Sequence, residues 1–315
     1  MSKALRVATR GGPLAIAQTR IVVRILTKVR PDLKVEMTKV TTKGDRDRRT
    51  ALWNLRDTGF FTSQIEDALL AGEADLAVHS FKDLPTRQRE GLTIAAVCDR
   101  RFAQDCLVAA APIASIEQLP RSATVGTSSL RRAAQLRRLR DDLQVAPIRG
   151  NVQTRIRRLE EAKFDAVVLA RAGIERLGLK QKISYSFDPR QFIPAPAQGA
   201  LVVQARNDDI ATTKLIAQID DKTARTTTFA ERQVLVTMQC GCHAPVGAFA
   251  QIAGDDITIW AFISDLQGQE FLTRELTGPA SKAADLAKQI AEQLLEAGGN
   301  EILDELETNK GQKDL

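Results

Sequence analysis

Arginine is concentrated in one part of the sequence, residues 121–176. This part holds twelve arginines and one lysine against six acidic residues, whereas the whole chain of 315 residues has a formal net charge of +6. The planar guanidinium group binds a carboxylate or a phosphate at two points, so this composition predicts a site for an anionic ligand. The alternative is a solvated helix face, which is the more common fate of a charge cluster.

Two turns place several of these arginines where anion sites form. Gly126-Thr-Ser-Ser-Leu-Arg-Arg132 and Arg149-Gly-Asn-Val-Gln-Thr-Arg155 each follow a predicted strand and open a predicted helix. Hydroxyls and backbone N–H groups at a helix start can hold an anion beside the arginines. Ser128 could equally be an ordinary helix N-cap beside solvated arginines. The presence of two similar turns favours a shared anion site.

One acidic side chain stands among these basic segments. Asp83 follows Lys82 at the end of a predicted strand, in Phe81-Lys-Asp-Leu-Pro85. An Asp before Leu-Pro is a common turn residue, which is one interpretation. The other is a carboxylate that stays ionised because cations surround it, and that stabilises a cationic intermediate or moves protons.

The cysteines indicate a reduced protein with a candidate for covalent attachment. Four cysteines are too few for a disulfide scaffold in a chain of this length. Cys98 and Cys106 lie in apolar strand segments and are expected to be buried. The loop Cys240-Gly-Cys-His-Ala-Pro245 is expected to expose a thiol that can carry a covalent group. With two histidines in the chain and no second cysteine pair at zinc-finger spacing, no metal site is expected.

The elements that position these residues alternate between strands and helices over the first two thirds of the chain. This alternation predicts α/β domains with open, mainly parallel sheets. The charged segments fall at the carboxyl ends of strands, where ligands of such sheets bind, so the cations converge on one cleft. The predicted strands are 5–8, 34–40, 75–80, 93–98, 106–110, 124–126, 145–148, 165–170 and 201–205.

Local patterns add detail to this outline. Residues 41–58 are polar without periodicity and predict a long loop. Ser63-Gln-Ile-Glu66 is a capping-box pattern at the start of a helix through residue 70. After residue 220 a helix (223–238), alternating strands and a final helix (281–297) predict a separate α+β domain. No internal repeat is visible in the sequence.

Several classes of protein are not expected. Hydrophobic residues make up 43% and charged residues 27%, as in ordinary globular proteins. No apolar stretch approaches the roughly 18 residues of a membrane-spanning helix, and the first residues lack a signal-peptide core, so a cytoplasmic protein is expected. Aromatic residues are only 4%, which leaves few platforms for stacking nucleic-acid bases.

Six segments occur in the order and approximate spacing typical of one family. On these segments the chain closely resembles the porphobilinogen deaminase family, also called hydroxymethylbilane synthases, from Arg6 to about Leu306. The segments are Val78-His-Ser-Phe-Lys-Asp-Leu-Pro85, Gly126-Thr-Ser-Ser-Leu-Arg-Arg132, Arg149-Gly-Asn-Val-Gln-Thr-Arg155, Ala172-Gly-Ile-Glu-Arg-Leu-Gly-Leu179, Gln198-Gly-Ala200 and Cys242-His-Ala-Pro-Val-Gly247.

The resemblance implies three domains around one cleft, the first two similar to type II periplasmic binding proteins. We expect residues 1–98 with 199–217, residues 104–194, and residues 220–307 to form these domains. The resemblance also implies a cytoplasmic monomeric transferase of haem biosynthesis with a dipyrromethane cofactor, joined by a thioether to Cys242. Four porphobilinogen units would be joined head to tail with loss of ammonia, and water would then release the linear tetrapyrrole.

The resemblance assigns roles residue by residue. Asp83 matches the catalytic aspartate, which would assist the departure of ammonia and stabilise cationic intermediates. Besides Cys242, the residues implied to bind the cofactor are Lys82, Thr127, Ser128, Ser129, Arg131, Arg132, Arg149 and Gly150. The residues implied to bind substrate are Arg10, Phe61, Arg149, Arg155, Arg176 and Gln198.

The chain departs from the family pattern at several positions. Gly12 replaces a usual serine, Thr58 replaces a usual lysine, and Gln239-Cys240 precedes Gly241 where the family has Glu-Gly. Cys240 is therefore a rival attachment site, although the distance to Pro245 favours Cys242. The alternative function is a catalytically impaired or non-catalytic protein of the same fold that binds a carboxylate ligand.

Overall fold

The computed structural model describes residues 4–41, 62–241 and 244–312. Over these residues the strands are β1 Leu5–Arg10, β2 Val35–Val40, β3 Leu76–Ser80, β4 Leu92–Cys98, β5 Asp105–Ala109, β6 Thr124–Gly126, β7 Gln144–Ala146, β8 Ala166–Ala170, β9 Tyr185–Ser186, β10 Leu201–Arg206, β11 Val246–Ala253, β12 Asp256–Ser264 and β13 Phe271–Pro279. The helices are α1 Pro13–Val29, α2 Ser63–Leu70, α3 Leu130–Leu139, α4 Val152–Glu160, α5 Arg171–Arg176, α6 Ile210–Ala217, α7 Lys222–Thr237, α8 Ala283–Leu294 and α9 Asn300–Gln312.

Two sheets have the same arrangement of strands, except that the antiparallel strand comes last along the chain in the first sheet and first in the second. The first is β2-β1-β3-β10-β4 and the second is β7-β6-β8-β5-β9. In each, the described strands run in one direction except for a single antiparallel strand, β10 in the first sheet and β5 in the second. The prediction of two mainly parallel α/β domains is confirmed.

The chain passes twice between these two sheets. It leaves the first after β4 to enter the second as β5, and it returns after β9 as β10. The crossovers contain residues with left-handed backbone, such as Asp99 (φ 48°) and Gly199 (φ 90°). A Cβ at Gly199 would lie 2.7 Å from the carbonyl oxygen of Arg101, so this position requires glycine.

Helices cover both faces of each sheet. In the first sheet α1 packs through Val22 and Leu26 on one face, and α2 packs through Ile65 and Leu69 on the other. In the second sheet Leu136 of α3 lies in one core cluster, whereas α4 and α5 contribute to another. Such burial is worth about 1.5–3 kcal/mol per large apolar side chain and holds the strand ends in place.

The C-terminal part is a separate α+β unit, as predicted. Strands β11, β12 and β13 form an antiparallel sheet, and α7 and α8 pack on it around Val234, Ile259 and Ile290. The sequence analysis did not include α9, which follows a kink at Gly298 (φ 115°) and buries Ile302 and Leu306 in the same core. It also did not include β9 or α6.

The capping-box prediction for α2 is wrong. Thr62, not Ser63, precedes the helix, and no side chain caps it. Glu66 instead turns inward, where its Oε1 accepts a hydrogen bond of 3.0 Å from Gln204 of β10. A hydrogen bond to a residue distant in the sequence has therefore replaced the bond that Glu66 would make at the start of the helix. The loop predicted at residues 41–58 lies outside the described residues except for Thr41.

Within the described ranges, no helix combines the length and the apolar composition that crossing a membrane requires.

Candidate active site between the two α/β domains

A short 3₁₀ turn at the end of β3 carries the predicted catalytic carboxylate. The turn, Phe81–Asp83, buries Phe81 completely and leaves Asp83 exposed. The Phe81 N–H donates to the carbonyl of Ala200 at 3.1 Å, which ties the turn to the start of β10. No described residue donates a hydrogen bond to the Asp83 carboxylate, so this carboxylate can contact a ligand.

The first basic turn (residues 126–132) is hydrogen-bonded to the second (residues 149–155). The Ser128 hydroxyl donates to the Ile148 carbonyl at 2.7 Å and accepts from the Ile148 N–H at 3.0 Å. Ser129, not Ser128, is the N-cap of α3, where its Oγ accepts from the Arg132 N–H at 3.4 Å. The Thr127 hydroxyl accepts from the Ser129 N–H at 3.2 Å. The interpretation of Ser128 as a plain N-cap is wrong, because its hydroxyl joins the two turns.

The second basic turn requires a glycine. Gly150 has φ 109°, and a Cβ there would lie 2.6 Å from Thr154 Cγ2. Asn151 caps α4 by accepting from the Thr154 N–H at 2.8 Å. The Arg155 Nε donates to the Gly150 carbonyl at 2.9 Å, which holds the guanidinium of Arg155 at the helix start.

Arg149 is a candidate for binding an anion. Its Nε and Nη2 atoms are buried, and neither has a hydrogen-bond partner among the residues that the structure describes. A buried charged donor without an acceptor costs on the order of 1–3 kcal/mol or more. A carboxylate at this position would satisfy both nitrogens in the two-point manner that guanidinium favours.

Arg131 and Arg132 are bound to a buried carboxylate that the sequence analysis missed. Asp105, at the start of β5, is completely buried. Its Oδ2 lies 2.7 Å from Arg131 Nη2, and its Oδ1 lies 2.7 Å from Arg132 Nη2. Burial alone would raise the pKa of Asp105, but the charges of the two arginines hold it well below its usual range.

These arginines also donate to backbone carbonyls. Arg131 donates to Ile193 O at 2.6 Å and Arg132 to Val168 O at 3.1 Å. Both are almost fully buried. They therefore present fewer donors to a ligand than the resemblance implies. The signal in the sequence is weak, since Asp105 is an acid that directly precedes an apolar strand.

Gln198 connects Lys82 with Asp105. Its Oε1 accepts from Lys82 Nζ at 3.1 Å, and its Nε2 donates to Asp105 Oδ1 at 2.9 Å and to the Ala103 carbonyl at 2.8 Å. Gln198 is buried. Both ends of its amide are used within the protein, so the chain of contacts runs from the 3₁₀ turn to the arginine pair.

Two buried cations of the site have lowered pKa values. Burial lowers the pKa of Lys82 to about 8, because water no longer stabilises the ammonium. Burial, with repulsion from Arg132 and Arg149, lowers the pKa of Arg155 to about 10. The negative charge of Asp83 raises the pKa of both groups, so Asp83 lies close enough to interact with these cations. A cleft with excess positive charge stabilises an anionic ligand.

Two predicted substrate-binding arginines lie at the ends of elements of the first two domains. Arg10 ends β1. Arg176 ends α5 and lies at the crossovers, where its Nη2 donates to Asp99 O at 2.8 Å and to Gly199 O at 2.6 Å. Arg176 is therefore bound to the segments that join the two domains.

The cysteine loop is described only in part. Cys242 lies outside the described residues, as does Phe61. The rival Cys240 packs against the core of the C-terminal unit. Cys98 and Cys106 are buried as expected, and burial raises the pKa of each thiol to about 12. Their thiols are therefore unreactive at neutral pH.

Three further features concern His79, the possible metal ligands and Gly12. Burial and the charge of Arg10 lower the pKa of His79 to about 4, so this strand histidine is neutral. No group of histidine, cysteine and acidic side chains able to hold a metal ion occurs in residues 4–41, 62–241 and 244–312. Gly12 is the N-cap of α1, with extended backbone and open space where a Cβ would lie. The absent serine hydroxyl therefore leaves α1 without a side-chain cap.

Comparison with known proteins decides the family. The model described as porphobilinogen deaminase, dipyromethane cofactor binding domain, matches residues 5–214, and the model of the C-terminal domain matches residues 225–296. The chain belongs to the porphobilinogen deaminase family. The resemblance carried by the six segments is thereby confirmed. The matched residues include both basic turns and the 3₁₀ turn that carries Asp83.

Individual members of the porphobilinogen deaminase family align along nearly the whole chain. A porphobilinogen deaminase of Roseiflexus castenholzii is 42% identical over 304 residues, covering 96% of this chain and 99% of that one. One of Natranaerobius thermophilus is 40% identical over 307 residues, covering 96% and 98%. Among solved structures, a putative periplasmic sulfonate-binding protein of Methylobacillus flagellatus is 16% identical, covering 75% of this chain and 69% of that one, with a TM-score of 0.39.

The residues present fit the cofactor of the porphobilinogen deaminase family. The family model for residues 5–214 is that of its cofactor-binding domain. Dipyrromethane carries carboxylate side chains, and the unsatisfied Nε and Nη2 of Arg149 are donors that such a carboxylate would pair with.

Proposed function

We propose that the chain is a transferase that condenses four porphobilinogen molecules head to tail, with loss of one ammonia for each, and then releases hydroxymethylbilane by hydrolysis. This is a step of tetrapyrrole (haem) biosynthesis. The observation that carries the proposal is the guanidinium of Arg149, with two buried donors and no partner among the described residues. The reaction itself is assigned from membership of the porphobilinogen deaminase family, which extends along nearly the whole chain.

The proposed cofactor site is built from the two basic turns and Lys82. Dipyrromethane, when bound, supplies the pyrrole carbon to which the first substrate is joined. Arg149 donates to one carboxylate, and Lys82 holds another by its charge. Thr127, Ser128, Ser129 and Gly150 shape the turns, while Cys242 is the attachment point. Arg131 and Arg132 contribute mainly through the positive potential that they maintain around Asp105.

The proposed substrate site uses the remaining cations. Arg155 projects from the start of α4. We assign it, with Arg10, to the acetate and propionate groups of porphobilinogen. Arg176, Gln198 and Phe61 complete the assignment by family resemblance. The contacts of Arg176 and Gln198 within the protein indicate that these two act partly by orienting their neighbours.

Asp83 is the proposed catalytic residue. Its exposed carboxylate accepts a hydrogen bond from the ammonium of the substrate. It then stabilises the positive charge that remains on the pyrrole as ammonia departs. The contact accelerates the reaction because it stabilises positive charge on the pyrrole, which is present in the transition state and absent from the pyrrole of the bound substrate.

We also assign the enzyme to the cytoplasm, as a monomer without a nucleic-acid partner.

The mass of the intact protein tests this function. We expect an added mass equal to two linked porphobilinogen-derived units on the purified chain, located by peptide mapping on Cys242. Cys242→Ser will remove the added mass and the activity. Cys240→Ser, the matched control in the same loop, will keep both, because Cys240 packs against the C-terminal core. An unmodified parental chain that also stays unmodified with porphobilinogen would favour a non-catalytic binding protein.

The rate at which the cofactor is attached should depend on pH because of Lys82. Its pKa in the folded chain is about 8, against 10.5 ordinarily, so it loses its charge as the pH rises through about 8. We expect the rate at which the apo-chain gains cofactor mass from porphobilinogen to fall over this range, because the carboxylate loses a cation. Lys82→Arg keeps its charge and will abolish the decline. The same decline in the arginine variant would contradict the assignment.

A further inference from the structure

Helix α7 of the C-terminal unit contacts the 3₁₀ turn that carries Asp83. Arg232 of this helix is almost fully buried. Its Nη1 donates to Phe81 O at 3.2 Å and to Leu84 O at 2.9 Å, and its Nη2 donates to Pro85 O at 2.5 Å. Its guanidinium also lies 4.5 Å from the centroid of the Phe81 ring.

The turn has little structure of its own to hold it. Within it, the Leu84 N–H donates to Phe81 O at a long 3.3 Å, and three-residue 3₁₀ turns have poor hydrogen-bond geometry. The carbonyls of Phe81, Leu84 and Pro85 flank Lys82-Asp83 on both sides, and all three point at one planar cation. The Phe81 ring adds a cation–π contact with the same guanidinium. Arg232 therefore holds the backbone on both sides of Asp83, together with the bond from the Phe81 N–H to Ala200 O.

The same helix leads into the cysteine loop. Helix α7 ends at Thr237, and the chain continues through Gln239, which has left-handed backbone (φ 50°), toward Cys242. One rigid element thus contacts the turn of the catalytic carboxylate and precedes the proposed attachment point of the cofactor.

We propose that Arg232 is a positioning residue for the reaction. It holds the Lys82-Asp83 turn of the first domain at a set distance from the helix that precedes the cofactor cysteine. It touches neither substrate nor cofactor, and it acts through Asp83. This inference rests on the proposed function, and it adds a role for the C-terminal unit beyond carrying the cofactor.

Arg232→Lys tests the proposal, because lysine keeps the charge but cannot bond three carbonyls in one plane or stack as a plane on Phe81. A displacement of about 1 Å at a reacting group can cost on the order of a hundredfold in rate. We expect kcat of the cofactor-loaded enzyme to fall about tenfold to a hundredfold. KM should change less than about threefold, since the substrate-binding cations are untouched, and the cofactor mass should be unchanged.

Arg225→Lys is the matched control. Arg225 lies on the same face of α7, pairs with Asp220 at 2.7 Å, and reaches the Ile94 and Ala95 carbonyls of β4 at 3.4 Å. It therefore joins the same two domains without touching the turn. We expect Arg225→Lys to keep the parental kcat. Equal losses of kcat in both variants, in proportion to their loss of thermal stability, would show that Arg232 is merely structural.

A double variant separates positioning from stability. If Arg232 acts through Asp83, Arg232→Lys will lower the residual rate of Asp83→Asn no further. Additive losses, or a parental kcat in Arg232→Lys alone, would overturn the proposal while leaving the proposed function intact. A parental chain that loads no cofactor and turns over no porphobilinogen would overturn the proposed function, and this inference with it.

Discussion

Replacing Asp83 with asparagine should lower the turnover of porphobilinogen by about a thousandfold. The asparagine side chain has nearly the same size but no charge to oppose the cation left by departing ammonia. At about 4 Å and an effective dielectric near 20, such a contact is worth about 4 kcal/mol. Each 1.36 kcal/mol is roughly tenfold in rate. The measurement is kcat on enzyme shown by mass to carry its cofactor.

Binding and folding of this variant should be nearly unchanged. Asp83 is exposed and accepts no hydrogen bond from the residues in the described ranges, so its replacement breaks no hydrogen bond within them. Asp67→Asn is the control, since Asp67 is an exposed acid paired with Arg89 on the surface of the same domain. We expect the control to keep its parental kcat. An Asp83→Asn enzyme with near-parental kcat would contradict the proposed mechanism.

Replacing Asp105 with asparagine should have the largest effect on stability. The change leaves two buried guanidinium groups, those of Arg131 and Arg132, without their counter-ion. Removing one partner from a buried ion pair typically costs about 3–5 kcal/mol. We expect a loss of this size in the free energy of unfolding, measured by denaturant titration. We also expect impaired cofactor loading, because the basic turns lose their anchor.

The control for this prediction is an exposed pair in the same domain. Glu161 contacts Lys163 at 2.8 Å on the surface, where solvent screens the charges. Glu161→Gln should therefore leave unfolding unchanged. Equal stability of Asp105→Asn and the parental chain would show that the arginine pair is held by its backbone contacts alone.

The contribution of Asp105 also has a definite dependence on pH. Its pKa in the folded chain is lowered, so the folded state binds fewer protons than the unfolded state as the pH falls through the ordinary range of aspartate. The stabilisation is complete above that range and is lost as the pH falls toward the lower pKa of the folded chain. The parental chain should therefore lose stability in acid more steeply than Asp105→Asn.

Local patterns in the sequence predicted the elements well. The helix at residues 63–70 and the strand at residues 124–126 have the predicted bounds, and Asn151 caps its helix. These features depend on hydrophobic periodicity and on hydroxyl or amide side chains at chain ends, which act within a few residues. The order of the strands within each sheet was not predictable in this way. Backbone pairing sets that order, and the sequence has no repeat to signal it.

The candidate site was only partly predictable. The sequence marked Asp83, Lys82 and the two basic turns, because their residue types follow strand ends. It could not reveal that Asp105 pairs with both Arg131 and Arg132, or that Gln198 connects Lys82 with Asp105. Nothing near these residues in the chain indicates such partners, since Gln198 lies on a crossover far from Asp105 in sequence. The roles assigned to the individual residues stay predictions until the variants are measured.

By itself, the sequence determined the family, the α/β class of the first two domains, and the excess of arginine that predicts an anionic ligand. Residue types and their order carry this information, because they set local structure and charge. Only the tertiary structure decided which cations remain available to that ligand. Arg149 keeps two donors without a partner among the described residues, whereas Arg131 and Arg132 are occupied by Asp105. The reason is physical: a guanidinium pairs with whichever carboxylate or carbonyl the packed chain brings within about 3 Å, and distance along the sequence does not set that contact.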